Sequence, residues 1–385
     1  MTTAEIIAQK SLPVNTWLDC DPGHDDAVAL LLALYMKESI NLIGISTVNG
    51  NAPLLKTHNN ASQLLTLYRA STSIPLHRGF AHPLEKADLP PPVSIHGDSG
   101  LDGVKNLPPI NHPIVRKWHD QHGAEGPSVV EAFKNMVESR LNEDGSVRET
   151  VSMVITGPCT NVAAFKRKYP ELYESGVIDR AMVMGGAFDV PQWTPYAEFN
   201  VATDPDALAE LLTSCNVPVV LAPLNLTHQA IFDEGTHAQL LAPGCSWQEG
   251  QPMPAPKSEF RESLSTMLTF FRQAYIDQFG FTQGPPLHDP LCVLYLARPE
   301  LLPGRWAHLS VDTSNTKRNG ETTARFFTPE GMFNRWEERE RFLSSDDQGA
   351  FPNCFVMETL DREEFMRVLL ECVDRAEEVV AHTPL

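Results

Sequence analysis

The chain has no CxxC pair: its seven cysteines, Cys20, Cys159, Cys215, Cys245, Cys292, Cys354 and Cys372, are scattered and odd in number. Neither a zinc knuckle nor a disulfide framework is indicated, and a reducing, cytoplasmic setting is the expectation. Long apolar runs are missing too. No window approaches the roughly 18 uninterrupted apolar residues that a membrane-spanning helix needs, and the opening MTTAEIIAQKSLPVNT lacks an apolar core of signal-peptide length. Cationic residues are scarce, with 30 Lys and Arg against 49 Asp and Glu and a formal charge of -19. A nucleic-acid partner, whose phosphates call for a basic surface, is therefore excluded, as is a membrane partner. Small molecules are the expected ligands.

What the chain does have is a dense acidic segment. In VNTWLDCDPGHDDAVAL, residues 14 to 30, the apolar run Val14 to Leu18 meets Asp19, Asp21, Asp25 and Asp26, and an Ala/Val/Leu run follows. The pattern predicts strand, tight loop and helix. In an α/β sheet such a loop lies at the carboxyl end of a strand, where these folds bind ligands. Two carboxylates about 4 Å apart repel by roughly 4 kcal/mol at an effective dielectric near 20. Four together call for a cation, shared protons or generous solvation, and an all-oxygen set suits calcium or magnesium. The plainer alternative is that Asp25 and Asp26 only favour a helix N-terminus while Asp19 and Asp21 are solvated.

Helices are expected from about Asp25 to Met36, Leu54 to Leu67, Val130 to Leu141, Glu259 to Phe279 and Glu363 to Val380, with another beginning at Pro290. Buried strands are expected at Asn41 to Val48, Ile74 to His77, Val151 to Ile155, Ala181 to Met184 and Val217 to Leu221. Strands alternating with helices predict an α/β fold, a doubly wound, mostly parallel, Rossmann-like sheet with helices on both faces. No composition break divides the chain, so one domain is expected over 1–385, with 1–13 as a tail and 312–349 as a peripheral excursion. Two proline-rich loops, 81–107 and 242–257, read equally as functional covers or as rigid surface excursions.

Taken together, Leu18-Asp-Cys-Asp-Pro-Gly-His-Asp-Asp-Ala27, Gly50-Asn51, Thr156-Gly157-Pro158, Met184-Gly-Gly186, Ala197-Glu-Phe-Asn200 with Asp204-Pro205, and Leu287-His-Asp-Pro290 resemble the inosine-uridine-preferring nucleoside hydrolase family, with phrases closest to its fungal uridine ribohydrolases. The resemblance implies Ca2+ held by Asp21, Asp26, the main-chain carbonyl of Thr156, and Asp289. It also implies a metal-bound water whose proton passes to Asp21, with Asp19 orienting the ligands from behind. Asp25, Asn51, Glu198 and Asn200 correspond to ribose contacts, with Phe199 facing the sugar or the base. His288 corresponds to the acid that protonates the departing base, and His96 to a base contact. Gln192 stands where the family has an Asn that reaches the 5′-hydroxyl, and Asn225 where many members have Asp. His24, inside the acidic segment, reads equally as pointing to solvent or into the site and is assigned no catalytic role, and Tyr275 is read as an aromatic wall. Family members are usually dimers or tetramers, so a homo-oligomer is expected.

The reaction this implies is hydrolysis of the N-glycosidic bond of ribonucleosides, uridine or inosine among them, to ribose and free base, with acid and base on opposite faces of the sugar. Two other readings were weighed. A phosphatase of the haloacid dehalogenase type also places Asp-x-Asp after an apolar strand, but gives His288-Asp289 no role. A non-catalytic nucleoside-binding protein on the same scaffold rests on Gln192 alone.

Overall fold

The computed structural model describes residues 12–86, 89, 93–121, 128–190, 193–214, 216–327, 352–383 and 385. Its first strand is the apolar run before the acidic segment, β1 (Val14–Cys20), followed by β2 (Ile40–Thr47), β3 (Leu76–Arg78), β4 (Val151–Ile155), β5 (Ile178–Met184), β6 (Val219–Ala222), β7 (Gly304–Val311), β8 (Thr322–Phe326) and β9 (Cys354–Met357). Among the described residues these make one sheet in the order β3-β2-β1-β4-β5-β6-β9-β7-β8. β1 to β6 and β9 pair in parallel; β7 runs antiparallel to β9 and β8. From β1 the chain winds outward to β2 and β3, then returns to β4 on β1's other side. The gap beyond the carboxyl ends of β1 and β4 is thus a topological switch point, the place where such sheets form a ligand crevice.

Both sheet faces are covered, which is why the central strands are apolar throughout rather than alternating. Leu18, Val154, Met182 and Val220 point to one side, against helices His24–Tyr35, Pro290–Ala297 and Arg362–His382. Met153, Ile155, Val183 and Leu221 point to the other, against helices Val129–Glu138, Thr160–Lys168 and Pro205–Leu212. Helix His24–Tyr35 is buried at all 12 positions, as expected for a helix that is apolar on every side beyond its first turn. The Asp26 carboxylate accepts the Gly23 N–H at 2.9 Å and so closes that first turn.

Leu54–Leu67, Val151–Ile155 and Glu259–Phe279 have the expected bounds. The last three strands were not expected. β7 (GRWAHLSV) mixes polar with apolar residues without a clean alternation, and β9 has only four residues, too few to show a period. β8 lies within the segment expected as an excursion and pairs along β7 at the edge of the sheet; residues 328–351 lie outside the described set.

β1 and β2 change register between Thr16 and Trp17, bringing Gly44 opposite Trp17. A Cβ at Gly44 would stand 2.5 Å from the buried Trp17 ring. Gly44→Ala should therefore lower unfolding stability by about 1–3 kcal/mol through overpacking, read from urea denaturation. An unchanged urea midpoint would show that the ring has room to move.

Candidate active site

The acidic residues enter the crevice from different parts of the chain. Asp21 lies just beyond β1, Asp25 and Asp26 sit in the first turn of the following helix, and Asp289 is the cap of helix Pro290–Ala297. Asp25, Asp26 and Asp289 bring carboxylate oxygens within 4.8 Å of one another, all three buried. Asp26 is held by Thr156 Oγ1 at 2.8 Å and Asn51 Nδ2 at 3.1 Å, besides Gly23. Asp21 stands apart from that trio, accepting the Asn51 N–H at 2.7 Å on Oδ2, while its buried Oδ1 has no partner. A Cβ on Gly50 or Gly157 would collide with the Asp21 carboxylate, so glycine at both positions leaves its slot open.

Among the described residues no lysine or arginine pairs with these four carboxylates. Burial, the largest cause, raises all their pKa values; Asp25 moves to about 8, with Asp26 adding to the rise. Asp19 is pushed up to about 7, also by burial. Its side chain does not join the cluster: Oδ1 accepts from Ser46 Oγ and from Asn161 Nδ2, and only its main-chain carbonyl, accepting the Thr156 N–H at 2.9 Å, reaches toward the site.

Above the carboxylates lies a cavity of about 220 Å³. Asp25, Asn51, Thr156, Glu198, Asn200 and Asp289 give it a polar floor. Asn200 Nδ2 donates to the Thr156 carbonyl at 2.8 Å, and a carbonyl's second lone pair stays available to another partner. Glu198 caps a short helix, accepting the Gly186, Asn200 and Val201 N–H groups at 2.9, 2.8 and 3.1 Å. The wall is aromatic: Trp193, Phe199, Phe271, Tyr275 and Phe279, with His96 and His288. Phe271, Tyr275 and Phe279 recur every four residues on helix Glu259–Phe279 and so share a face. That spacing is visible in the sequence, although a core stripe would look the same; Trp193, Phe271, Gln278, Phe279 and Ile95 were not anticipated.

His288 donates to or accepts from Thr227 Oγ1 at 2.7 Å through Nδ1 and Tyr275 Oη at 2.6 Å through Nε2. Burial holds it well below the usual histidine range. It is neutral near pH 7, which corrects the expectation of an acid with an ordinary histidine pKa. Of the two orientations open to His24, the structure shows the buried one, and that burial lowers its pKa to about 4. Asn225 brackets one peptide, accepting the Phe188 N–H at 2.8 Å and donating to its carbonyl at 2.6 Å. An aspartate could make only the first of these bonds. Gln192 lies outside the described residues.

The sequence pattern of the inosine-uridine preferring nucleoside hydrolases matches residues 16–367. The chain belongs to this family. The pyrimidine-specific ribonucleoside hydrolase RihA of Citrobacter koseri is 34% identical over 362 residues, 94% of this chain and 97% of its own. RihA of Shewanella woodyi is 33% identical over 307 residues, covering 79% and 86%. Among solved structures, a purine-preferring ribonucleoside hydrolase from Gardnerella vaginalis has a TM-score of 0.72 at 24% identity, over 95% of this chain and 100% of that one. An inosine-guanosine nucleoside hydrolase has 0.74 at 22%, over 94% and 99%; both likenesses show the shared fold. This nucleoside hydrolase is accordingly an enzyme acting on the N-glycosyl bond, and the phosphatase and pure-binder readings lose their basis. No helix among the described residues is long and apolar enough to cross a membrane.

A nucleoside hydrolase of this family depends on a metal, and the site fits one. Three buried carboxylates converge with no counter-charge among the described residues, and Asp21 Oδ1 is an orphaned acceptor beside them. All the donors are oxygen, the set that hard divalent cations take.

A carboxylate whose folded pKa is raised contributes stability below its ordinary value and loses it as pH climbs through the folded one. With chelator present, the melting temperature should therefore fall from pH 5 to 8, as Asp19 and Asp25 ionise around 7 and 8. Millimolar calcium should flatten that slope, and Asp289→Asn should weaken both effects in thermal scans. A slope indifferent to calcium would exclude the carboxylates as a cation site.

Proposed function

We propose that this chain is a calcium-dependent ribonucleoside hydrolase that prefers pyrimidine nucleosides. The observation that carries the proposal is the trio Asp25, Asp26 and Asp289 lying beneath a cavity with a polar floor and an aromatic wall. The 34% identity to pyrimidine-specific RihA over nearly the whole chain, together with the small cavity, supports the base preference.

Asp26, Asp289, the Thr156 carbonyl and Asp21 would hold the cation, and Asp25 lies close enough to share it. Bound there, a divalent cation supplies positive charge that makes a contacting water easier to deprotonate. Asp21 Oδ1 takes that proton, since it is a buried carboxylate oxygen beside the trio with no donor of its own. Asp25, Asn51, Glu198 and Asn200 bind the ribose hydroxyls, where an unpaired polar group would be costly. The same carboxylates stabilise positive charge on the sugar ring as the bond to the base breaks.

The base lies against Phe271, Tyr275, Phe279 and Trp193. His288, neutral at rest and bonded to Tyr275 through Nε2, takes up a proton from solvent as the bond to the base breaks; Tyr275 Oη, on the cavity wall, passes its proton to the leaving base and is resupplied by His288 Nε2, which returns the ring to its neutral form.

A panel of nucleosides assayed for reducing-sugar release tests the reading. Uridine and cytidine should exceed inosine in kcat/KM, and chelation should abolish turnover; release from inosine alone, or unaffected by chelator, would overturn it. Asp21→Asn should fold normally while losing about 100- to 10,000-fold in kcat. His288→Ala should slow uridine far more than p-nitrophenyl riboside, whose leaving group needs no proton. Equal losses on both would leave His288 with a positioning role only.

A further inference from the structure

Helix Leu54–Leu67 does not line the cavity, yet one face of it sends three side chains to a single stretch of main chain. Lys56 Nζ donates to the Asp98 carbonyl at 2.6 Å, Asn60 Nδ2 to the Ser99 carbonyl at 2.8 Å and Gln63 Nε2 to the Pro108 carbonyl at 2.7 Å. A spacing of four and then three residues puts them on one side of the helix. The stretch they hold runs on directly from Ile95 and His96, which line the cavity. It is knit internally around Asp102, whose carboxylate accepts the Asp98 and Ser99 N–H groups at 2.9 and 3.1 Å and the Ser99 hydroxyl at 2.6 Å.

Asn60 does one thing more. Its Nδ2 also donates to the Pro22 carbonyl at 2.9 Å, in the loop between Asp21 and Asp25. A main-chain carbonyl only accepts, so the direction of both bonds is fixed, and the amide nitrogen has one hydrogen for each. The side chain is 3% exposed. A Cβ at Gly100 would stand 2.7 Å from Asn60 Nδ2, 3.2 Å from Ala52 Cβ and 3.4 Å from the Pro22 carbonyl oxygen, so glycine lets the two loops close on the amide. The loops also touch directly, where the His24 N–H reaches His96 Nδ1 at 3.3 Å and His24 Nε2 meets the Asp102 carbonyl at 3.1 Å. Asn60 holds them from outside, on a helix that belongs to neither.

Resting on the calcium-dependent ribonucleoside reading above, we propose that Asn60 is a positioning residue that sets the acidic loop and the base-side loop at one fixed separation. The acids that would hold the cation, and Ile95 and His96 beside the base, then keep their register on a common support. Loss of the amide strands the Pro22 and Ser99 carbonyls together, so both ends of the site loosen at once. Lys56 and Gln63 hold the base-side stretch alone.

Calorimetric titration of calcium into the full chain reads the acidic end, and KM for uridine at saturating calcium reads the base end. Asn60→Ala should weaken calcium binding and raise that KM, each by about five- to tenfold, the size of one lost hydrogen bond to a buried group. A residue that only stabilises the fold would lower the melting temperature and leave both constants of the folded enzyme where they were. Gln63→Met, which cuts a tie to the same stretch without touching the acidic loop, should leave calcium affinity unchanged. Asn60→Ser, which keeps a hydroxyl donor for one carbonyl, carries the same comparison should the alanine variant fail to fold. Calcium affinity altered with KM unchanged, or the reverse, overturns the proposal, because Asn60 would then serve one loop only. An equal loss of calcium affinity in Gln63→Met overturns it too. Wild type that binds no calcium, or releases no ribose from uridine, would instead sink the reading on which the proposal rests.

Discussion

The structure is organised around a repulsion. Asp25, Asp26 and Asp289 are buried within reach of one another, with Asp21 close by and no cationic partner among the described residues, and burial raises every one of their pKa values. Carboxylates a few ångströms apart cost several kcal/mol per pair at moderate dielectric. The fold tolerates this because Asp26 is tied by Gly23, Asn51 and Thr156, and because Asp25 and Asp26 lie at a helix N-terminus, where negative charge is favoured. Those contacts hold the acids in place without neutralising them, and the arrangement fits an ion of opposite sign.

The sheet order decides where those acids gather. Because β4 returns beside β1, the loop carrying Asp21 to Asp26 and the turn carrying Thr156 and Gly157 end at the same crevice. Glycine at Gly50 and Gly157 then lets the backbone approach the Asp21 carboxylate more closely than any side chain would allow. Helix Glu259–Phe279 brings the opposite wall, where three rings on one face suit a flat base while Gln278 adds an amide near its end.

The acidic loop, the central strands and the long helices are legible in the sequence because their signals are local: an apolar run ended by aspartates, β-branched strands, and apolar residues at helical spacing. The last strands were not, since edge strands half exposed to solvent resemble polar loop. Asp289 could be placed beside Asp26 only through the family resemblance, because a separation of more than 260 positions leaves no periodic trace. The lowered pKa of His288 is hidden from the sequence for a related reason. Nothing in Leu287-His288-Asp289 reveals that Thr227 and Tyr275 enclose the ring or that burial keeps it neutral.

Helix His24–Tyr35 is enclosed on every side along its length, and two of the acids that define the site are its second and third residues. The spacing of those acids is therefore inherited from a rigid rod that also anchors the core. Substitutions at Leu30 or Leu34, far from any ligand, would tilt the rod and be felt as altered catalysis. Rings and loops on the facing side carry no such burden. Evolution can revise the preferred base there while leaving the bond-breaking apparatus untouched.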